Sequence, residues 1–333
     1  MHLLEVALSG ILLSRQHTIQ QGRQIMHSPH QRDAHPQPVC SRRIFLGSAL
    51  AASATVVAGA LAGCQRPSTL EVVQPTTGGG RDDLSDSVIG KDKIRIGMEA
   101  AYAPYNWQVS EASEYTIPID NVQGAYADGY DVQIAKIVCK ALGGEPVAVK
   151  QSFSGLIDSL NNGQIDLIIA GMSATPEREE SVGFSDPYFI GYFGLFVKEG
   201  SPYQNATKLS DFSGATVLGQ KDTMLDTVID EIPGVVHKNP VDSVPTVFLN
   251  LLQGTCDAVT YNTENEKGYM AQNPGIVPIH FAEGEGFKQE VAANVGCRKG
   301  SDKLLKLIDK TLKGISQEER DQMWDACLDR QPA

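Results

Sequence analysis

The sequence predicts an α/β protein whose body holds two similar open-sheet lobes, set behind a basic leader of a different kind. Three observations carry this prediction. Strand and helix patterns alternate from residue 93 onward. One spacing of Leu, Gly and Asp occurs once in each half of the body. Charge is unevenly divided: residues 1–63 hold five Arg against Glu5 and Asp33, while the rest carries 23 basic and 38 acidic residues, a net of -15. The chain of 333 residues is long enough for two domains with real cores. Hydrophobic residues make up 41% and charged residues 20%, which argues against disorder and against a multi-pass membrane protein. A net charge of -12 argues against nucleic-acid binding, which needs Lys and Arg to displace phosphate counterions.

The leader reads as an address. Ser41-Arg42-Arg43-Ile44-Phe45-Leu46 stands before an uncharged run, rich in Ala, Gly and Val, that ends Leu61-Ala62-Gly63-Cys64. Paired arginines, a modestly apolar segment and small residues before Cys are the parts of a twin-arginine export signal over 1–63. Its end resembles a lipobox, with Cys64 as the lipidated N-terminus after cleavage. The competing reading is an uncleaved transmembrane helix, since about 20 apolar residues span a bilayer. Both place the body outside the cytoplasm, on the outer face of the cell membrane. Gly47 stands where twin-arginine signals carry Lys, so the general secretory route stays open, as does Met26 as an alternative start to Met1. Residues 64–91, with Gly78-Gly79-Gly80 and no sustained periodicity, read as a flexible tether. Outside the leader, Cys139, Cys256, Cys297 and Cys327 allow three pairings, and sequence alone does not choose among them. No C-x-x-C spacing occurs, so neither a thiol redox motif nor a metal or other cofactor is expected.

In the body, residues 93–98 alternate with period two and predict a strand. Residues 130–142 predict a helix with Ile134, Val138 and Ala141 on one stripe, stopped by Gly143-Gly144. A strand over 146–150 and a helix over 154–162 follow. The apolar run 165–170 predicts a central parallel strand covered on both faces. The order then recurs: strand 215–219, helix 222–231, strand 235–237, helix 244–253, strand 256–261. Leu160-x-x-Gly163-x-x-Asp166 matches Leu251-x-x-Gly254-x-x-Asp257. Each reads as a helix end, a Gly able to take the left-handed cap, and an Asp opening a strand. The competing reading is coincidence in a common connection, which the repeated element order opposes.

Ligands of open α/β sheets sit outside the carboxyl ends of the strands. The strand ends here are 99–107, 171–178, 220–224 and 262–264. Thr175-Pro176 reads as a helix N-cap followed by Pro at the first helical position, which sets Arg178 and the Ser173 hydroxyl beside free backbone N–H groups. A guanidinium with such donors is a carboxylate receptor. The competing reading is an exposed Arg178 paired with Glu177, Glu179 or Glu180. Tyr102, Tyr105, Trp107 and Phe153 are aromatics near strand ends, able to enclose a ligand or to fill a core. Glu99 is able to pair a cation or cap a turn.

Four motifs in order then carry a resemblance: IRIGMEAAYAPYNW over 94–107, GYDVQIA over 129–135, GMSATPER over 171–178 and FSDPY over 184–188. Together they resemble the family 3 extracellular solute-binding proteins, the polar amino-acid receptors of ABC importers, from about residue 93 to 330. The resemblance implies a type II periplasmic-binding-protein fold: two open α/β lobes joined by a two-strand hinge around a central cleft. It implies lobe 1 over 92–190 and 291–333 and lobe 2 over 191–290, with crossings near 189–193 and 287–292 and a helix over 302–314. Carried over by position, Arg178 grips the ligand α-carboxylate, assisted by backbone N–H groups at Ser173 and Thr223. Gly171 offers backbone, and Tyr102 and Phe153 enclose the side chain. Glu99 falls where relatives with cationic ligands place an acid. Asn262 stands where the family places the acid for the α-amino group, so either Glu264 substitutes or the ligand is not a simple α-amino acid. Asp222-Thr223 stands where many members have Gly-Thr or Gly-Ser. The lobe assignment also points to a Cys297–Cys327 bridge, with Cys256 alone in lobe 2.

The function implied is a non-enzymatic, monomeric receptor that captures a polar amino acid, a cationic one among the candidates. It delivers this to ABC permease subunits while anchored to the membrane by lipid. Two alternatives stay open. One is a dehydratase-like enzyme on the same scaffold, although no G-x-S-x-G, H-E-x-x-H or P-loop pattern occurs and His237 and His280 are the only body histidines. The other is an amino-acid sensor subunit.

Overall fold

Residues 86–332 are described in the structure, a computed structural model; the residues read as an export signal, Cys64 and most of those read as a tether lie outside the described residues. All described residues belong to one compact unit. Val88 is already buried and the Gly90 N–H donates to the Leu142 carbonyl at 2.8 Å, so packing begins within the last residues read as tether.

β1 (Lys93–Met98) buries Ile94, Ile96 and Met98, the alternation that predicted it. Four short strands follow: β2 (Ala101–Tyr102), β3 (Asn106–Val109), β4 (Ile117–Pro118) and β5 (Tyr126–Asp128). They form a separate antiparallel sheet that the sequence reading missed. Strands of two to four residues are too short to show periodicity. α1 (Tyr130–Leu142) has the predicted bounds, because its buried stripe is long. Its end is a Schellman pattern, with Gly143 N–H donating to the Lys140 carbonyl and Gly144 N–H to that of Cys139.

β6 (Glu145–Lys150) and α2 (Leu156–Asn161) come next, α2 preceded by a 3-10 turn over Phe153–Gly155. The predicted strand over 165–170 is reduced to β7 (Leu167–Ile168). The whole run is buried as expected, but β1 registers with it only at Ile96–Leu167 and Gly97–Ile168, and β13 only at one residue. α3 (Pro176–Glu179) is one turn long and leads into β8 (Val182–Lys198).

The second half holds β9 (Thr216–Leu218), α4 (Met224–Thr227), β10 (Val236–His237), α5 (Val244–Leu252) and β11 (Ala258–Asn262). The helix predicted over 222–231 is split: α4 passes into a 3-10 turn over Val228–Glu231. α6 (Glu266–Gln272), β12 (Ile276–Pro278), β13 (Glu290–Arg298), α7 (Asp302–Lys313) and α8 (Gln317–Arg330) complete the chain.

One nine-stranded sheet runs β10-β9-β11-β8-β13-β7-β1-β6, with β12 also on β8. It contains two parallel triplets of the same order, β6-β1-β7 and β10-β9-β11. Between them β8 exchanges partners: residues up to Tyr192 pair with β13, and from Phe193 onward with β11.

The repeated spacing has one structural meaning in both triplets. Gly163 and Gly254 lie at φ +71° and +72°. Asp166 accepts from Arg95 N–H at 2.9 Å, and Asp257 from Thr216 N–H at 2.7 Å. The two Asp N–H groups return the bond to the carbonyls of Arg95 and Thr216, each at 2.8 Å. Each Asp thus pins the third strand of a triplet to the start of its first.

Cys139, Cys256, Cys297 and Cys327 are all free and buried, which corrects the expected Cys297–Cys327 bridge. The two sulfurs face different neighbours. Cys297 Sγ donates to the Arg298 carbonyl at 3.6 Å, while Cys327 Sγ accepts from Arg330 Nη2 at 3.5 Å. Burial holds both thiols protonated, with pKa values pushed up to about 12.

Candidate functional site

The carboxyl ends of both triplets converge. β1 leads into Glu99, β7 runs into Gly171–Arg178, β9 into Gln220–Met224, and β11 ends at Asn262. A cavity of about 30 Å³ between them is lined by eight of the residues singled out in the sequence: Glu99, Tyr102, Phe153, Gly171, Ser173, Arg178, Thr223 and Asn262. Gln220, Met224, Leu225 and Val291 complete the lining. A larger cleft of about 950 Å³ lies outside it and shares Phe153, Arg178, Thr223 and Met224 as walls. Those four side chains separate the inner cavity from the cleft. The inner volume suits about one or two waters and not an amino acid, so entry of a larger ligand requires the walls to part.

Arg178 is positioned by a local cap. Thr175 Oγ1 accepts from its N–H at 3.3 Å, and Pro176 opens the helix. With only one turn, α3 supplies little dipole; its contribution is to aim the guanidinium. Nη1 donates to the Ser173 carbonyl at 2.8 Å and Nη2 to the Asp222 carbonyl at 2.7 Å. The guanidinium lies 5.4 Å from the Phe153 ring centroid. None of Glu177, Glu179 or Glu180 is hydrogen-bonded to it, so the exposed-ion-pair reading fails. The N–H groups of Ser173 and Thr223, both residues buried, form no hydrogen bond with any described residue. Gly171 differs: its N–H donates to Tyr188 Oη at 3.1 Å. Tyr188 Oη in turn donates to Asp131 at 2.6 Å, and Asp131 accepts from Asn106 Nδ2 at 2.7 Å.

Asp222 sits at φ +60°, the region where glycine costs least. This explains why a Gly is common at such a position and how Asp serves here, since Asp tolerates the region better than most residues. Its carbonyl, not its carboxylate, meets Arg178.

Two further bonds join the halves across the cavity. Gln220 Nε2 donates to Glu99 Oε2 at 3.0 Å, and Tyr102 Oη donates to Asn262 Oδ1 at 2.8 Å. Burial raises the Glu99 carboxyl above the usual range, opposed by the Gln220 amide and Lys150. Tyr105 and Trp107 do not line the cavity. Tyr105 stacks behind Tyr102 at 4.6 Å and Trp107 is core. Glu264, expected as a substitute for the missing acid, turns away: its Oε1 accepts from Tyr192 N–H on β8 at 2.6 Å. Gln220 is the polar residue that sequence reasoning left inside a named strand end without singling it out. Its alignment with Glu99 depends on strands 121 residues apart.

A model of the bacterial extracellular solute-binding proteins, family 3, matches residues 94–325, most of the chain. The chain belongs to that family. The type II periplasmic-binding fold expected from the motifs is the fold observed. This family 3 protein is 34% identical over 237 residues to an arginine-binding extracellular protein of Bacillus subtilis, covering 71% of this chain and 84% of that one. It is 29% identical over 219 residues to an ABC transporter glutamine-binding protein of the same organism, covering 65% and 78%. Among solved structures, the arginine-bound form of a truncated arginine-binding protein from T. maritima superposes with a TM-score of 0.58 at 27% identity, covering 69% of this chain and all of that one. In the family 3 protein, no helix among the described residues is long and apolar enough to cross a membrane.

Proposed function

We propose that this chain is the solute-capturing subunit of an ABC importer, taking a polar amino acid or a close derivative from outside the cell. The observation that carries the reading is Arg178, which donates to carbonyls on both sides of a cavity enclosed by two matching strand triplets. Its remaining N–H donors, with the unpaired N–H groups of Ser173 and Thr223, form a receptor for a carboxylate. Tyr102 and Phe153 flank the rest of the ligand, and Glu99 with Gln220 meets its polar end. Relatives named for arginine and for glutamine agree with a nitrogen-bearing side chain.

In this proposal lobe 1 is 92–190 with 291–333, and lobe 2 is 191–290. They part and close about the exchange of partners in β8. Closure without bond chemistry is sufficient, since micromolar capture needs only about 8 kcal/mol of binding free energy. Lipid on Cys64 and the tether over 64–91 hold the monomer at the outer membrane face, within reach of a permease. A thermal-shift screen of polar amino acids and their α-hydroxy and Nα-acyl derivatives tests the proposal. A ligand at 100 times its Kd adds about 2.7 kcal/mol of stability. The reading fails if no compound shifts the melt, or if Arg178→Ala leaves the shift intact.

A further inference from the structure

Two turns in left-handed backbone shape one wall of the cavity: Ala100 after β1 at φ +51°, and Gly171 after β7 at φ +62°. The first separates Glu99 from the strand that carries Tyr102, and the second leads to Ser173. All of Glu99, Tyr102, Gly171 and Ser173 line the cavity. A Cβ on Gly171 would stand 2.8 Å from the Tyr102 ring, so the second turn packs against the aromatic that follows the first. An alanine keeps left-handed backbone only where its surroundings hold it there.

Both turns are tied to one side chain. Ala100 N–H donates to Asn106 Oδ1 at 2.7 Å, and Asn106 Nδ2 donates to Asp131 Oδ2 at 2.7 Å. A backbone N–H is only a donor, so it fixes which end of the Asn106 amide faces Asp131. Gly171 N–H donates to Tyr188 Oη at 3.1 Å, and Tyr188 Oη lies 2.6 Å from Asp131 Oδ1. This second chain is continuous whichever of those two oxygens carries the proton between them, because Tyr188 Oη is the acceptor for Gly171 in both cases. Asp131 is the second residue of α1, fully buried, and its own N–H donates to the Tyr105 carbonyl at 2.8 Å. It does not line the cavity.

Resting on the function proposed above, we infer that Asp131 is a positioning residue for ligand binding: from α1 it ties the turns that carry Glu99, Tyr102, Gly171 and Ser173 into one preformed wall. A wall already held in its binding geometry loses less freedom when a ligand arrives. Titration calorimetry of the purified full-length chain, well below every melting temperature, tests this. The probe is L-arginine, or the amino acid of largest melting shift where arginine is silent. Tyr188→Phe keeps the ring and removes the hydroxyl between Gly171 and Asp131, while Asp131→Ala removes the end of both chains. Each is expected to weaken binding at least about tenfold. The double variant is expected to fall at least about fivefold short of the product of the two losses, because members of one hydrogen-bond network act together. Gly163→Ala, at the other end of β7, is the control for stability alone: it is expected to lower the melt and keep affinity within about twofold. Unchanged affinity in Tyr188→Phe, losses that simply multiply, or an equal loss in Gly163→Ala overturns the inference and leaves the proposed function standing. If Asp131→Ala does not fold, amide exchange in Tyr188→Phe decides. Faster exchange at Ala100 as well as Gly171 supports the tie, and faster exchange at Gly171 only overturns it. A wild-type chain that binds no amino acid in the screen overturns the proposed function and this inference with it.

Discussion

Arg178, Asp222 and Asp131 each hold a position that a chemically similar residue cannot fill. Arg178 uses a planar fork to reach two carbonyls while lying over Phe153. A lysine ammonium keeps the charge and loses the fork. Arg178→Lys is therefore expected to weaken ligand binding on the order of 100-fold, read by calorimetry, with little change in the melt of the free protein. Asp222 occupies left-handed backbone at φ +60°. Asp222→Gly keeps the carbonyl that Arg178 uses and relieves the conformation, so a gain of about 1 kcal/mol in urea unfolding is expected. Asp131 is fully buried, and burial raises its carboxyl from 3.8 to about 7 against bonds from Tyr188 and Asn106 and the Gly171 backbone. For a raised acid, the stabilising contribution is complete below about pH 4 and is lost as pH rises through about 7. Asp131→Asn is expected to lie furthest below the wild type in Tm near pH 4, with the gap narrowing between about pH 4 and pH 7 and level above that. A gap that widens with pH contradicts this assignment.

The two strand triplets give the same local rule twice, so paired substitutions compare them directly. Gly163 and Gly254 share a left-handed φ with open space around the missing Cβ. Gly163→Ala and Gly254→Ala are each expected to cost about 1–2 kcal/mol, by similar amounts, in denaturant melts. A large difference between them means the two turns are not equivalent. This repeat was legible in the sequence because Leu160, Gly163 and Asp166 act within one connection, and so do Leu251, Gly254 and Asp257. α1 was legible for a related reason: 13 residues with one buried stripe leave no ambiguity of period. β7 was overextended, because a buried apolar run reports burial and not the length of its hydrogen-bonded ladder. The small sheet β2-β3-β5-β4 was illegible, since its strands are held by one another and carry no pattern of their own.

At the scale of the whole molecule, the partner exchange in β8 is where the halves meet. Gly191 lies there, and a Cβ on it would stand 2.6 Å from a Glu264 carboxylate oxygen. Glu264 also accepts from Tyr192 N–H, so it braces this stretch of β8. Gly191→Ala is expected to displace Glu264 and to reduce the ligand-induced compaction seen by small-angle scattering, while the secondary structure seen by circular dichroism is retained. An unchanged scattering response argues against β8 as the hinge. The sequence by itself determined the α/β class, the repeated order and the four strand ends, because each rests on local periodicity or local turn chemistry, and the family resemblance of its ordered motifs pointed to the eight residues gathered there. Only the tertiary structure decided that Gln220 meets Glu99, that Glu264 faces the β8 backbone and not the cavity, that Asn262 meets Tyr102, and that the four thiols stay apart. Those outcomes depend on which atoms of distant strands face each other across a few ångströms, and local pattern carries no measure of that distance.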